Sequence, residues 1–371
     1  MLGDYPLVAR KAASSWTAVR KWSVDYLTQN ICGNLSFRMG SRASNSPSPQ
    51  FECVAQYVSA SIADFVSWRQ GNDNPSFRSF PFDEWWAYAS YLYMSPTSSP
   101  LSSLINDLHW GSLFSNLPDS SGSTFWLGTD QSHTACHYDT YGINIVLQVF
   151  GKKRWILFPP SDSAYLYPTR LPLEESTVFS RVNFQCPNFI FFPLILNSHP
   201  HVITLEPGDV LYVPRHWWHY VECIEEDYSC AVNMWIDQPL MDDANRCKEA
   251  LTQLACFSLA KCAPKSSYVS SHFHENERSL YRSKNWFSTL VDFINNNYTS
   301  SIQQNSQIFP LIPNASLKWS SIPSVDIVDI LPDSSMLSLP STDPPRKSID
   351  DIIAVFLHPD VIDAVHSKLC E

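Results

Sequence analysis

The sequence contains no C-x-x-C pair and few basic residues, and each absence argues against a class of protein. The ten cysteines are scattered, so we interpret them as reduced thiols, not as a disulfide framework. Lysine and arginine together number 25 against 36 acidic residues, which gives a net charge of −11. This balance disfavours nucleic acid as a partner, because affinity for phosphates depends on neutralising cations.

Long apolar runs are also missing. None approaches the roughly 20 residues that span a bilayer, and no secretory apolar stretch is recognisable. We therefore expect no membrane partner and a cytoplasmic location, or also a nuclear one. Apolar side chains are nevertheless abundant, at 44% of the residues with 13 Trp. That is enough for the core of one large domain or two modest ones.

A His-x-Asp motif, His137-Tyr138-Asp139, is the first candidate site. On an extended strand, residues two apart share a face, so the imidazole and the carboxylate converge on one point. Such a pair supplies two of the three ligands in the 2-His-1-carboxylate arrangement that binds Fe(II). Taken alone the motif is weak, because a chain with eleven histidines contains one by chance about half the time.

Residues 207–221 offer the third ligand. Pro-Gly-Asp predicts a turn, Val210–Val213 a short buried strand, and a second strand starting at Trp217 carries His219. His216 and His219 lie three residues apart, so a regular strand directs them to opposite faces. Only one of the two can point inward, and the spacing leaves both open.

Short apolar segments bounded by turn residues predict the fold. From residue 124 they recur at a spacing of about 8–12 residues, with a tight hairpin at Gly151-Lys152. This pattern is typical of a mostly β double-sheet barrel or jelly roll, with its core at 124–240 and the helices and strands of 1–123 flanking it. Residues 166–193, with four prolines, predict an irregular loop near the barrel mouth.

After Trp235 the pattern becomes helical and then polar. Apolar periodicity predicts a helical extension over 241–298, with helices at 241–262 and 280–296. Residues 299–346 are rich in Ser, Pro, Asn and Gln and predict a disordered linker. Residues 347–371 predict a last helical segment, which would pack on its own barrel, on a second copy or on another partner; we favour the two intermolecular arrangements.

Several motifs resemble the JmjC family of Fe(II)- and 2-oxoglutarate-dependent dioxygenases. They are His137-x-Asp139, the segment P-G-D-V-L-Y-V-P before W-W-H, and Asn233-x-Trp235. The subgroup is the one that contains the asparaginyl hydroxylase of hypoxia-inducible factor. Three further segments, H-W-W-H-Y-V-E, L-Y-P-T-R-L-P and E-E-S-T-V-F-S, resemble the branch associated with a small heat-shock protein. The similarity extends over about residues 6–240 and again over the last 25 residues.

The resemblance implies a double-stranded β-helix barrel, which is a jelly-roll or cupin-like fold, with a helical C-terminal extension. It assigns Fe(II) to His137, Asp139 and His219, with 2-oxoglutarate and O2 as cosubstrates. His216 is then expected at the rim. The other histidines of this region are expected to be ordinary loop or edge residues: His133, His199 and His201.

The resemblance also implies a pocket for 2-oxoglutarate. Lys153 lies where the family has a lysine for the distal carboxylate, whereas Lys152 at the hairpin tip predicts a solvated side chain. Thr134 lies where relatives supply a hydroxyl. A tyrosine hydroxyl often joins the lysine, and for this role we favour Tyr91 over Tyr88.

Asn144 and Asn233 match two family amides and lie in otherwise apolar strands. A buried amide without a partner costs about 1–3 kcal/mol, so each must bond to the cosubstrate or to the backbone. The Asn144 assignment assumes that a one-residue insertion relative to the asparaginyl hydroxylase precedes it. Four tryptophans are expected to form walls that exclude water: Trp126, Trp217, Trp218 and Trp235.

For function, the resemblance implies hydroxylation of a protein side chain. A lysine demethylase is disfavoured, because no zinc-finger or chromatin-reader pattern of Cys and His accompanies the barrel. A tRNA-directed enzyme is disfavoured by the acidic charge. The alternative from another class is a non-enzymatic protein that binds a small heat-shock protein. Pairing of two copies through C-terminal helices is a further expectation.

Overall fold

The structure is a computed structural model that describes residues 2–43, 46, 48–52, 55–95, 99–117, 122–171, 176–225, 227–238, 242–262, 311–330 and 355–370. Among these residues, no helix is both long enough and apolar enough to cross a membrane. The predicted helix at 280–296 lies outside the described residues, as does most of the predicted linker.

Strands make up more of the described chain than α-helices do. The strands in chain order are β1 Leu7–Ala9, β2 Leu35–Ser41, β3 Gln56–Ala60, β4 Trp85–Tyr93, β5 Ser123–Thr129, β6 His133–Asp139, β7 Ile143–Phe150, β8 Lys152–Phe158, β9 Pro168–Thr169, β10 Thr177–Ser180, β11 His201–Leu205, β12 Val210–Val213, β13 Trp218–Ile224, β14 Tyr228–Ile236 and β15 Ser320–Ser321.

These strands form two antiparallel sheets that face each other as a barrel. One sheet has the order β15-β1-β12-β7-β14-β5-β4-β2-β3, and the other has the order β11-β8-β13-β6-β10-β9. The predicted jelly-roll, cupin-like fold is therefore confirmed.

Alternation along the strands separates an outer apolar face from an inner face that lines the barrel. On β7, Ile145 and Leu147 pack with the N-terminal helices, whereas Val146 lies in the inner cluster. On β8, Trp155 lies in that inner cluster and Ile156 packs on the outside of the smaller sheet. Burial on both faces explains why these strands read as nearly continuous apolar runs.

Helices cover the larger sheet and follow the barrel. They are α1 Thr17–Lys21, α2 Val24–Asn30, α3 Ile62–Arg69, α4 Asp243–Cys262 and α5 Pro359–Cys370. The first three bury Leu27 and Phe65 against the outer face of the nine-stranded sheet. α3 begins at a capping box, in which the Ser61 hydroxyl accepts from the Asp64 N–H and the Asp64 carboxylate accepts from the Ser61 N–H.

The segment 166–193 contains more regular structure than the sequence predicts. β9 and β10 lie within it, and β10 pairs with β6 so that Phe179 faces His137 across the ladder. The expectation of an irregular loop is wrong at this point. Four residues of alternation in Thr177–Ser180 are too few to stand out among the surrounding turn residues.

Residues 311–330 form a strap across one side of the barrel, where the sequence predicts part of a linker. β15 of this strap pairs with β1 of the larger sheet, and Ser324 forms a β-bridge to His201 on β11 of the smaller sheet. Ile322 and Ile327 are buried in clusters of the barrel. The strap therefore joins the outer strands of both sheets.

The C-terminal helix α5 packs on α4 of its own chain. Leu357 and Ile362 are buried, and Lys248 Nζ lies 2.9 Å from Asp363 Oδ1. Of the three arrangements considered for this segment, the structure contains the intramolecular contact, and pairing with a second copy or another partner stays a prediction. A stripe at i, i+4 and i+8 is exposed on the helix: Val361, Val365 and Leu369.

Candidate active site

Three potential metal ligands meet on two neighbouring strands. His137 and Asp139 lie two residues apart on β6, and His219 near the start of β13 is paired directly with His137 in the ladder. One ligand atom from each residue lies within 4.8 Å of the others. This group, which the sequence predicts from spacing and resemblance, matches the donor set of the 2-His-1-carboxylate arrangement.

Hydrogen bonds to the backbone orient both imidazoles. His137 Nδ1 lies 2.8 Å from the Ala135 carbonyl, and His219 Nδ1 lies 2.9 Å from the Trp217 carbonyl. A carbonyl only accepts, so each Nδ1 carries the proton and each Nε2 keeps a lone pair for a metal. Burial, and next the neighbouring His219, hold the pKa of His137 well below its ordinary value, which favours the neutral ligand form.

The carboxylate ligand is oriented by an indole. Trp235 Nε1 donates a 3.0 Å hydrogen bond to Asp139 Oδ2, while Asp139 Oδ1 lies 3.9 Å from His137 Nε2. Burial raises the pKa of Asp139 above its ordinary value. A divalent cation among the three groups would favour the ionised carboxylate, so the site fits a metal better than it fits three uncompensated side chains.

A cavity extends from His137 and His219 of the triad into the barrel. Its walls are mainly aromatic and aliphatic, with a few polar groups among them. The lining residues are Tyr88, Tyr91, Trp126, Thr134, His137, Asn144, Val146, Lys153, Trp155, His219, Val221, Ala231, Asn233 and Trp235. All five predicted cosubstrate residues are among them, as are two of the four predicted tryptophan walls.

Lys153 is a buried cation in this cavity. The side chain is 2% exposed, and its ammonium donates a 2.9 Å hydrogen bond to the Tyr88 hydroxyl. No carboxylate of the described residues forms an ion pair with it. Lys152, in contrast, lies nearer the surface and pairs with Glu225 at 2.6 Å. The sequence-based distinction between the two lysines is therefore reproduced by their burial.

The tyrosine that joins the lysine is Tyr88, so the preference for Tyr91 in this position is reversed. Both rings lie at the cavity although they are three residues apart, because β4 has an irregularity between Ala89 and Leu92, and Tyr91 adopts φ 54°. A regular strand would have separated the two faces. Tyr91 instead lies against Trp126, with ring centroids 4.4 Å apart.

The two amides bond to each other, which neither sequence-based alternative anticipates. Asn233 Nδ2 donates to Asn144 Oδ1 at 2.8 Å, and Trp126 Nε1 donates to Asn233 Oδ1 at 2.7 Å. These two bonds link three side chains along one wall of the cavity. Thr134 also lines the cavity, on the same strand as His137.

The remaining histidines lie outside the triad. His216 adopts φ 62° at the turn into β13 and bonds through Nε2 to the Thr140 carbonyl at 2.8 Å, so it is half-buried, not exposed at the rim. His133, His199 and His201 each hold a partner elsewhere, in Gln131, Asp162 and Ile322 respectively.

Two residues at the site are missed by the sequence analysis. Trp155 lines the cavity and stacks on His219, with centroids 5.6 Å apart. Its position two residues after Lys153 on one strand is a signal that could have identified it. Arg38 lies behind Tyr88, far away in sequence, and no local pattern marks it.

The cupin-like domain family matches residues 1–241, well over half of the chain. The chain belongs to this family. It is 38% identical over 309 residues to the HSPB1-associated protein 1 homolog of Danio rerio, covering 82% of this chain and 64% of that protein. It is 40% identical over 259 residues to HSPB1-associated protein 1 of Homo sapiens, covering 68% and 52%.

A more distant relative is the Jumonji C domain-containing protein 5 of Drosophila melanogaster, 29% identical over 237 residues, which cover 62% of this chain and 54% of that protein. The chain thus spans about half to two thirds of the length of these relatives. These matches confirm the resemblance to cupin-like JmjC proteins. The triad of this cupin-like domain lies within the matched residues 1–241.

Proposed function

We propose that this cupin-like JmjC protein is an Fe(II)- and 2-oxoglutarate-dependent oxygenase that hydroxylates a protein side chain. The observation that carries the proposal is the buried Lys153 ammonium, which shares one cavity with His137 and His219 of the triad and has no carboxylate partner in the described residues. A buried, unpaired charge is costly. An anionic ligand that also reaches the metal would compensate it.

The ligand roles follow from the donor set. His137, Asp139 and His219 would hold Fe(II), and Lys153, Tyr88 and Thr134 would hold the distal carboxylate of 2-oxoglutarate. Bound together, the metal and the cosubstrate supply the oxidising chemistry that protein side chains lack. The chain supplies orientation, charge and a dry cavity.

Burial keeps the Tyr88 hydroxyl in its donor form. It raises the pKa of Tyr88 above the ordinary value, so the phenol stays protonated at neutral pH. Its oxygen accepts from Lys153, which leaves the O–H to donate to a ligand oxygen. Trp126, Trp155 and Trp235 enclose the same space and exclude water from the reacting groups.

Charge and thiol state bear on the substrate and the location. A protein side chain is the substrate that the family resemblance favours, and the acidic balance of the chain disfavours tRNA. In the part of the chain that the structure describes, six of the ten cysteines are free thiols, which fits the cytoplasm or the nucleus: Cys32, Cys136, Cys186, Cys223, Cys230 and Cys247.

A second candidate function is binding of a small heat-shock protein without catalysis. It is favoured by the printed names of the fish and human relatives, which are called HSPB1-associated proteins. Such a function needs neither the triad nor an unpaired buried lysine. Only the oxygenase function therefore requires the triad and the buried lysine of the cavity.

Turnover of 2-oxoglutarate to succinate distinguishes the two candidate functions. The full chain is incubated with Fe(II), 2-oxoglutarate and O2, alone and with peptides from a cell lysate, and succinate is measured. The proposal expects succinate that depends on Asp139, with the Asp139→Ala variant as the matched control. If neither 2-oxoglutarate binding nor succinate formation exceeds that of the variant, the oxygenase proposal fails.

A further inference from the structure

A wholly buried arginine lies directly behind the carboxylate-binding end of the cavity. Arg38 on β2 is 0% exposed, and β2 pairs it with Tyr88 of β4 in the same ladder. Its guanidinium carbon lies 5.7 Å from the centroid of the Tyr88 ring and 5.2 Å from that of Trp86. The flat cation thus stacks on the tyrosine that bonds to Lys153.

Arg38 also connects the two sheets. Its Nη2 donates a hydrogen bond to the carbonyl of His133 on β6, in the smaller sheet, whereas Arg38 itself belongs to the larger sheet. His133 immediately precedes Thr134, whose side chain lines the cavity. One guanidinium therefore contacts the ring of Tyr88 and the backbone beside Thr134.

The charge of Arg38 is already compensated. Glu52 Oε1 lies 3.4 Å from Arg38 Nη1, and both side chains are buried. The pair is therefore close to neutral and adds little net attraction for an anion. Its effect on a ligand has to be geometric, through the groups that the guanidinium holds in place.

We propose that Arg38 is a positioning residue for the carboxylate end of the cavity, holding the Tyr88 hydroxyl and the Thr134 segment around Lys153. This inference rests on the proposed function, since the ligand considered is 2-oxoglutarate. Lysine cannot replace Arg38, because it lacks the planar fork that stacks on one ring and donates to a carbonyl at the same time.

The test compares two keto acids that differ only at the far end. 2-Oxoglutarate carries the distal carboxylate, and 2-oxobutyrate does not. Their dissociation constants are measured by calorimetry on the full chain loaded with Mn(II) without O2. Wild type is compared with Arg38→Lys and with the double variant R38M/E52M, which removes both buried charges together and so leaves neither unpaired.

The expected result is a loss of selectivity. Both variants should bind 2-oxoglutarate at least about ten-fold more weakly, as is common when a residue that orients a ligand group is lost. Their affinities for Mn(II) and for 2-oxobutyrate should stay within about two-fold of wild type, since neither depends on the distal carboxylate.

A second buried Arg–Glu pair provides the matched control. Arg170 and Glu249 form a bidentate pair with distances of 2.7 and 2.6 Å, and neither side chain lines the cavity. The R170M/E249M variant should keep wild-type selectivity. Unchanged selectivity in the Arg38 variants, an equal loss for both keto acids, or an equal loss in the control would overturn the positioning role. Failure of the wild type itself to bind 2-oxoglutarate would instead refute the proposed function.

Discussion

The Lys153 ammonium donates a 2.9 Å hydrogen bond to the Tyr88 hydroxyl across 65 residues of sequence, and the two groups share a cavity with His137 and His219, two of the three potential metal ligands. A cation solvated by a phenol is less well compensated than one paired with a carboxylate. Under the proposed function, an anion would occupy the Lys153 end of the cavity and a metal the end with His137 and His219.

The two lysines of the hairpin should differ in their effect on cosubstrate binding. Lys153→Ala removes the partner of a buried ligand carboxylate and should cost about 3–5 kcal/mol of binding free energy. Lys152→Ala removes a cation of a surface pair and should cost under about 1 kcal/mol. Calorimetric titration of Mn(II)-loaded protein with 2-oxoglutarate measures both. Equal losses would show that the pocket lysine is misassigned.

Metal binding should depend on the triad and not on the neighbouring histidine. Asp139→Ala and His219→Ala each remove one of three ligands, so anaerobic titration with Mn(II) should show no saturable site at micromolar protein. His216→Ala serves as the control and should titrate as wild type does, because that imidazole bonds to the Thr140 carbonyl. Wild-type affinity in both triad variants would contradict the metal assignment.

The indole that orients Asp139 should influence metal affinity without touching the metal. Trp235→Phe keeps an aromatic ring but loses the N–H that bonds to Asp139 Oδ2. We expect the dissociation constant for Mn(II) to rise about 10–100-fold. Trp218→Phe, which loses a bond to Ser163 instead, should change it little. A Trp235→Phe variant with unchanged affinity would mean that the carboxylate is held by its strand alone.

Acid should destabilise the fold through His133. Burial lowers the pKa of this imidazole to about 3, whereas the unfolded chain takes up a proton near pH 6.5. Between these values the unfolded state binds more protons, so stability falls as pH falls, by up to about 1.4 kcal/mol per pH unit. Urea unfolding of apoprotein at pH 7, 6 and 5 should show a shallower pH dependence in His133→Phe. A matching change in His199→Phe, where the ring is mostly exposed, would contradict this origin.

The C-terminal helix α5 and the turn before it should contribute to stability through their buried side chains. Leu357→Ala removes a wholly buried side chain and should cost about 2–5 kcal/mol of unfolding free energy, seen as a lower melting temperature. Val361→Ala on the exposed stripe should stay within about 0.5 kcal/mol. Sedimentation of Val365→Asp tests the proposed pairing of two copies, because a charge on that stripe would disrupt a shared apolar contact. Equal melting of Leu357→Ala and wild type would favour a helix that docks elsewhere.

The sequence predicts those parts of the site that depend on local periodicity. His137 and Asp139 share a face because side chains alternate every two residues, whereas Lys153 was identified through the family resemblance. Tyr88 and Tyr91 do not follow this alternation, because the positive φ of Tyr91 inside β4 brings both side chains to the cavity. Such an irregularity leaves no trace in composition.

Contacts between segments that are distant in sequence could not be predicted from local patterns either. Asn144 and Asn233 bond across 89 residues, and Arg38 reaches His133 across 95. Each residue alone is merely polar within an apolar strand. Only the ladder register decides which polar groups meet, and that register is set by the whole sheet.

The strap of residues 311–330 has a practical consequence for the boundaries of a folding unit. The family match ends at residue 241, yet β15 shields the backbone of β1, and Ser324 bridges to β11. A fragment cut at residue 241 would leave both strands with unpaired amide and carbonyl groups facing water. Unprotected edge strands of this kind pair with strands of other chains. We therefore expect the shortened protein to aggregate more readily than the longer one.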